Sequence, residues 1–192
     1  MTTQVKNFIN GYVEKLKNLL DQIDLDELGK FINLIEGTRD SRARIFILGN
    51  GGSAATASHM VNDLGAGLRR RNIRNFDIHS LADNVPVVTA LANDIGYENI
   101  FEMQMRGLIT ADDVVVAISC SGESLNIINA VNYAKEVGCS VVGITGFDGG
   151  KLRSISDVNL HVDAPKGEYG LVEDVHMIFD HIIYSYYISE MA

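Results

Sequence analysis

Cysteine is scarce in this chain: Cys120 and Cys139 are the only two among 192 residues. Two thiols cannot build a disulfide framework, and their spacing is unlike that of a zinc ribbon. They are expected to be reduced thiols of a cytoplasmic protein. Proline is scarce too, with two in all. No internal repeat or low-complexity stretch marks a linker, so the chain reads as one domain over residues 1–192. Long apolar runs are missing; none approaches the roughly 20 residues that cross a bilayer. The opening Met1-Thr2-Thr3-Gln4-Val5-Lys6 lacks the basic-then-apolar order of a secretory signal. A membrane partner is not expected. Basic residues are in deficit, 16 Lys and Arg against 25 Asp and Glu, for a formal net charge of −9. Such a chain is a poor binder of a phosphate backbone, and nucleic acid is not an expected partner. The one basic cluster is Arg69-Arg70-Arg71 with Arg74. It reads as a solvated helix end, where cations meet the negative end of the dipole, or as an attraction for an anionic substrate or a subunit contact.

What is present suits a folded α/β domain. The chain is 46% hydrophobic and 21% charged, ordinary values for a globular protein able to bury a core. Residues 1–40 form a helical preface. Val5, Phe8, Ile9, Val13, Leu16, Leu19 and Leu20 recur at helical spacing over 4–22. A second helix spans 24–36, with Asp24 as N-cap and Gly37 as stop. From residue 44 to 192 the rhythm changes to an α/β core. Short apolar runs at 44–48, 114–118, 140–145 and 158–162, with a weaker one at 76–79, read as strands. Helical stretches at about 54–68, 98–106, 125–137 and 171–190 lie between or after them. Continuous apolar strands alternating with helices imply a three-layer fold, a five-stranded parallel sheet flanked by helices. In such sheets ligands gather beyond the carboxyl ends of the strands.

Two of those strand ends carry unusual loops. The first strand runs into Gly49-Asn50-Gly51-Gly52-Ser53 directly before a helix. Glycines let the backbone approach a ligand, and a helix N-terminus offers free N–H groups to an anion. The spacing matches neither a P-loop nor a dinucleotide fingerprint. The alternative is a tight turn without a ligand. A later strand ends in Ser119-Cys120-Ser121-Gly122-Glu123-Ser124. Hydroxyls beside backbone amides suit a phosphate monoester held without lysine or metal; the alternative is a hydroxyl-stabilised turn with Ser124 as an N-cap. Together Asn50, Gly51, Gly52, Ser53, Ser119, Cys120, Ser121 and Ser124 are the candidate phosphate-binding set.

These two loops resemble those of the sugar isomerase (SIS) domain, and within it the phosphoheptose isomerases, also called sedoheptulose-7-phosphate isomerases. Ala92-Asn93-Asp94-Ile95-Gly96-Tyr97, Ile144-Thr145-Gly146-Phe147-Asp148-Gly149-Gly150 and Glu173-Asp174-Val175-His176 with His181 extend the likeness from residue 44 to the C-terminus. The resemblance implies a SIS domain that converts sedoheptulose 7-phosphate to D-glycero-D-manno-heptose 7-phosphate through an enediol. It implies a homotetramer with active sites at subunit interfaces, and a heptose-biosynthetic role. Alternatives are a non-catalytic SIS adaptor that binds a replication initiator, or an isomerase of another sugar phosphate.

Isomerisation moves a proton between neighbouring carbons, which calls for carboxylates, histidines or a bound cation. His59 and Asp63, four apart on one helix, share a face and form a common two-ligand arrangement for zinc; the alternative is a pair on a surface helix. By resemblance His59, Asp63, Glu173 and His181 hold one zinc per subunit. Asp63, Glu173 and His181 are the catalytic candidates, and Asn50 and Asp94 line the sugar site. The chain departs from the family in having Asp63 for a glutamate, Glu173 for a glutamine and Gly67 for an arginine. His176 is expected to pack or to support a ligand, and Met103, Met105 and Met177 to fill the core. His79 and His161 receive no role.

Overall fold

The computed structural model describes residues 2–38 and 43–191. Two helices lead, α1 (Thr3–Leu20) and α2 (Leu25–Gly37). The Asp24 carboxylate caps α2, accepting from the amides of Asp26 and Glu27 at 3.0 Å. The core follows as β1 (Ile45–Gly49), α3 (Gly52–Met60), β2 (Ile78–Ser80), α4 (Val85–Ile95), α5 (Ile100–Met105), β3 (Val114–Ser119), α6 (Leu125–Val137), β4 (Ser140–Gly146), α7 (Gly150–Ile155), β5 (Val158–Val162) and α8 (Tyr169–Met191). All five strands pair in parallel, in the order β2-β1-β3-β4-β5.

Apolar residues on both faces explain the three layers. Ile45, Ile47, Val114, Val116, Val142 and Ile144 pack against α2, α3 and α8. Phe46, Leu48, Val115, Ala117 and Val141 face α5, α6 and α7. Every residue of β1 and β3 is buried, as continuous apolar runs require. The edge strand β2 is only three residues long and begins two residues later than the run at 76–79.

Three helices differ from expectation, and one of them, α7 over Gly150–Ile155, lies outside every expected helical stretch. α4 was not anticipated: none of its residues is fully buried, so it carries no core stripe. Its start is nonetheless marked by the Asn84 cap and by Pro86 in the first turn. The helix expected over 54–68 changes character midway, becoming a π-helix over Val61–Gly67. Gly65 and Gly67 lie in that wider turn where side chains press close. A β-carbon at Gly65 would stand 2.8 Å from Ile78, and one at Gly67 3.0 Å from the Tyr184 hydroxyl. Glycines therefore let this turn settle against β2 and α8.

The topology sets the position of the site. From β1 the chain goes to β2 on one side, while β3 lies on its other side. The loops leaving β1 and β3 therefore diverge, opening a crevice at the carboxyl edge. Gly49 pairs in register with Ile118, so the glycine loop and the serine loop begin side by side.

Candidate active site

The loop after β1 turns at Gly51, whose φ of 54° and ψ of −119° exclude a side chain without strain. Gly51 caps α3 without a side-chain bond, leaving the first amides of that helix available. Ser53, 5% exposed, hydrogen-bonds Cys120 of the other loop. The loop after β3 turns at Gly122, φ 64°. Ser119 Oγ accepts from the Gly122 amide at 3.1 Å, and Ser121 Oγ from the Glu123 amide at 3.2 Å. Ser124 sits at the N-cap of α6, yet its hydroxyl makes no capping bond and stands 3.5 Å from Ser119 Oγ.

The β4–α7 loop braces this turn. The Gly146 amide donates to the Cys120 carbonyl, and the Leu152 amide to the Gly122 carbonyl, each at 3.0 Å. The two strand-end loops thus close around one cavity of about 200 Å³, lined by Asn50, Ser53, Ser119, Cys120, Ser121, Ser124, Tyr169 and Glu173. Its hydroxyls and helix amides can hold a phosphate monoester. Burial pushes the Cys120 thiol up to about 11, with the nearby Glu173 charge adding and the Ser53 bond opposing. Cys120 is a neutral wall of the cavity, not a nucleophile.

Asn50 joins this cavity to a second one of about 160 Å³, lined also by Gly51, Val88, Tyr97 and Phe101. Its amide is fixed by Asn126 at 2.9 Å and by the Tyr97 hydroxyl, which donates to Oδ1 at 2.8 Å. Asn126, Tyr97 and Tyr169 were not foreseen, because each is brought in by packing and none lies in a glycine or serine loop. Asp94 is exposed on α4, bonds Asn93, and lines neither cavity of its own chain.

Further along α3 and α8 lies a second cluster. His59 and His181 meet with their Nε2 atoms 3.1 Å apart. His59 Nε2 is 3.5 Å from Asp63 Oδ2 and 4.0 Å from Asp180 Oδ2. One donor atom from each of His59, Asp63, Asp180 and His181 falls within 4.8 Å of all the others. Four ligands at about 2.0 Å from a tetrahedral ion stand about 3.3 Å apart, so this donor set fits a divalent cation after small closure. Asp180 is fully buried, and neither carboxylate oxygen has a hydrogen-bond partner among the described residues. Burial, and then the charge of Asp63, push its pKa up to about 8.

Glu173, expected in the metal set, is not in this group. It precedes His181 by eight residues, about 12 Å along a helix axis. Its carboxylate instead lies against Gly52, where a β-carbon would overlap it, and lines the serine cavity. Asp180 is the fourth member of the group. Its signal in the sequence was faint: one acid inside Met177-Ile178-Phe179-Asp180-His181-Ile182-Ile183, an apolar stretch of α8.

The remaining expectations divide. His176 packs: it is 1% exposed, and its Nε2 donates to the Thr145 carbonyl at 3.1 Å. Burial pushes its pKa down to about 4. His79 pairs with Asp77 at the β2 edge, and His161 with Thr145 Oγ1. Of the arginines, Arg69 bonds Asn75, while Arg71 stacks on Tyr184 and donates to the Gly67 carbonyl at 3.1 Å. Met105 is fully buried, whereas Met103 is 40% exposed and lies outside the core.

A parallel sheet whose carboxyl edge carries a glycine loop and a hydroxyl-lined anion cavity, with a histidine–carboxylate cluster further along the covering helices, fits an α/β domain for a phosphorylated small molecule. The SIS domain family matches residues 11–146. The phosphoheptose isomerase of Aliarcobacter butzleri is 32% identical over 179 residues, covering 93% of this chain and 92% of that protein. That of Helicobacter pylori is 33% identical over 178 residues, covering 93% and 90%. The solved phosphoheptose isomerase GmhA from Neisseria gonorrhoeae superposes with a TM-score of 0.85 at 28% identity, covering 97% of each chain. The chain belongs to the SIS-domain phosphoheptose isomerase family.

Proposed function

We propose that the protein interconverts sedoheptulose 7-phosphate and D-glycero-D-manno-heptose 7-phosphate through an enediol. The observation that carries this reading is the meeting of Ser53 with Ser119, Ser121 and Ser124 around one cavity that Glu173 also lines. The serine hydroxyls and the first amides of α3 hold the phosphate and orient the sugar. Glu173 takes the proton from C1. The C1–H electron pair becomes the C1=C2 bond of the enediol, and the C2 oxygen takes up a proton. The second half gives up the proton of the C1 oxygen, forms the C1 carbonyl and returns a proton to C2. Asp63 and His181, the other catalytic candidates, stand in the histidine–carboxylate donor set rather than at the serine cavity. The donor set at His59 and His181 fits zinc, one ion per subunit. When bound, zinc supplies a Lewis acid that stabilises negative charge on oxygen. A non-catalytic adaptor has no use for two imidazoles converging on two buried carboxylates.

The reading extends to a cytoplasmic homotetramer. No helix among the described residues is long and apolar enough to cross a membrane. α1 leaves Val5, Phe8, Ile9 and Val13 exposed, Phe8 at 72%, an apolar stripe suited to a subunit contact. Asp94, outside the cavities of its own chain, is free to serve a neighbouring subunit. A monomer by light scattering at micromolar concentration refutes the tetramer.

The test is conversion of a panel of ketose phosphates to aldoses, with and without added zinc. Sedoheptulose 7-phosphate is the expected substrate. Glu173→Gln is expected to lower kcat by about 10²–10⁴-fold, the usual worth of a general base; full activity in that variant removes Glu173 from the reaction.

A further inference from the structure

We propose that Asp180, rather than Glu173, is the carboxylate by which α8 holds the divalent cation, leaving Glu173 on the substrate side. The inference rests on the cation reading of the histidine cluster and is independent of which sugar is bound. Three observations carry it. Asp180 is fully buried, yet both of its oxygens lack a hydrogen-bond partner among the described residues. A buried polar group without a partner is costly, and a carboxylate more so. The same side chain lies within 4.8 Å of three other ligand-type atoms, and His59 Nε2 is 4.0 Å from its Oδ2. Glu173, by contrast, sits against Gly52 and Cys120 at the serine cavity, about 12 Å up the helix from His181.

Two imidazoles and two carboxylates around a divalent ion are neutral overall, so a single cation balances both buried acids at once. Asp63 faces His59 from the π-helical turn, and Asp180 faces it from α8. The cation would therefore tie α3 to α8 through His59 and Asp63 on one side and Asp180 and His181 on the other. In its absence Asp180 is a buried group without a hydrogen-bond partner among the described residues. Asp180 thus weakens the metal-free fold and strengthens the loaded one.

The experiment is titration of the metal-free full-length protein with Co²⁺, read by its visible absorption, alongside thermal melts of metal-free and zinc-loaded protein. No substrate enters either measurement, so the result stands apart from the sugar-phosphate assay. Wild type is expected to bind one ion per chain with tetrahedral absorption. Asp180→Asn is expected to lose more than about 100-fold in affinity, beyond the range of a residue that only supports a ligand. Its metal-free form is expected to melt above metal-free wild type, and Asp180→Leu to behave alike. Glu173→Gln is expected to keep wild-type affinity. Wild-type affinity in Asp180→Asn, a comparable loss in Glu173→Gln, or metal-free Asp180 variants that melt below wild type or do not fold would each overturn the assignment.

Discussion

Replacing His176 with glutamine is expected to make the fold more resistant to acid, and burial of the ring sets the size of the effect. His176 is 1% exposed, and burial pushes its pKa from 6.5 down to about 4. Unfolding returns the imidazole to its ordinary value. Between these two pH values the unfolded chain takes up a proton that the folded chain refuses. Each pH unit in that window costs about 1.4 kcal/mol of stability, and about 2.5 units cost about 3 kcal/mol. The penalty is absent above pH 6.5, grows as the pH falls toward about 4, and is constant below. Against a typical total of about 5–15 kcal/mol this is a large share.

Asp180 works in the opposite direction. Its pKa is raised to about 8, so the metal-free fold gains stability as the pH falls from there toward 3.8. A wild-type profile alone mixes the two slopes. The difference between wild type and His176→Gln removes the Asp180 contribution, because neither group figures among the causes of the other's shift. The assay is urea unfolding followed by circular dichroism at several values from about pH 7.5 to about pH 4.5. Below pH 6.5 the stability difference is expected to move toward the variant by about 1.4 kcal/mol per unit. A difference that stays flat across this range refutes a neutral, buried imidazole at position 176.

Three further outcomes follow from the site and its supports. Gly122→Ala puts a β-carbon into the Gly149 carbonyl oxygen at a φ of 64°. About 1–2 kcal/mol for the backbone and about 1–3 for the overlap predict a loss near 2–5 kcal/mol in urea unfolding. Ser124→Ala removes a hydroxyl that makes no capping bond; stability is expected to hold, while KM for the sugar phosphate rises by about 10–100-fold, the worth of a bond to a charged group. Asp113 is 1% exposed and accepts from the amides of Arg44 and Thr110 at 2.7 Å and from the Arg44 guanidinium at 2.9 Å. Asp113→Ala leaves a half-buried arginine unpaired and is expected to cost about 3–5 kcal/mol by the same unfolding measurement.

Most of the sheet was legible because its signal is local. The runs at 44–48, 114–118, 140–145 and 158–162 are apolar on both faces, and only a doubly covered parallel sheet buries both. β2 was faint because an edge strand of three residues needs little pattern of its own. α4 escaped notice for a related reason: without a buried stripe, only its Asn84 cap and Pro86 betray it. The switch to a π-helix at Val61 comes from packing, as Ile78 and Tyr184 crowd the turn that holds Gly65 and Gly67.

By itself, the order of residues determined the two anion loops, because glycine and serine at a strand end carry their backbone freedom and hydroxyls wherever the chain goes. It also supplied His59, Asp63 and His181 as residues of the right chemical type. Only the tertiary structure decided which of them meet. Burial is a property of the packed helices: it strips Asp180 of partners and sets it beside His59, while Glu173, on the same helix, is held two turns away against the serine cavity. A carboxylate reads the same in a sequence whether water surrounds it or not, and that surrounding fixes whether it is suited to a cation or to a sugar.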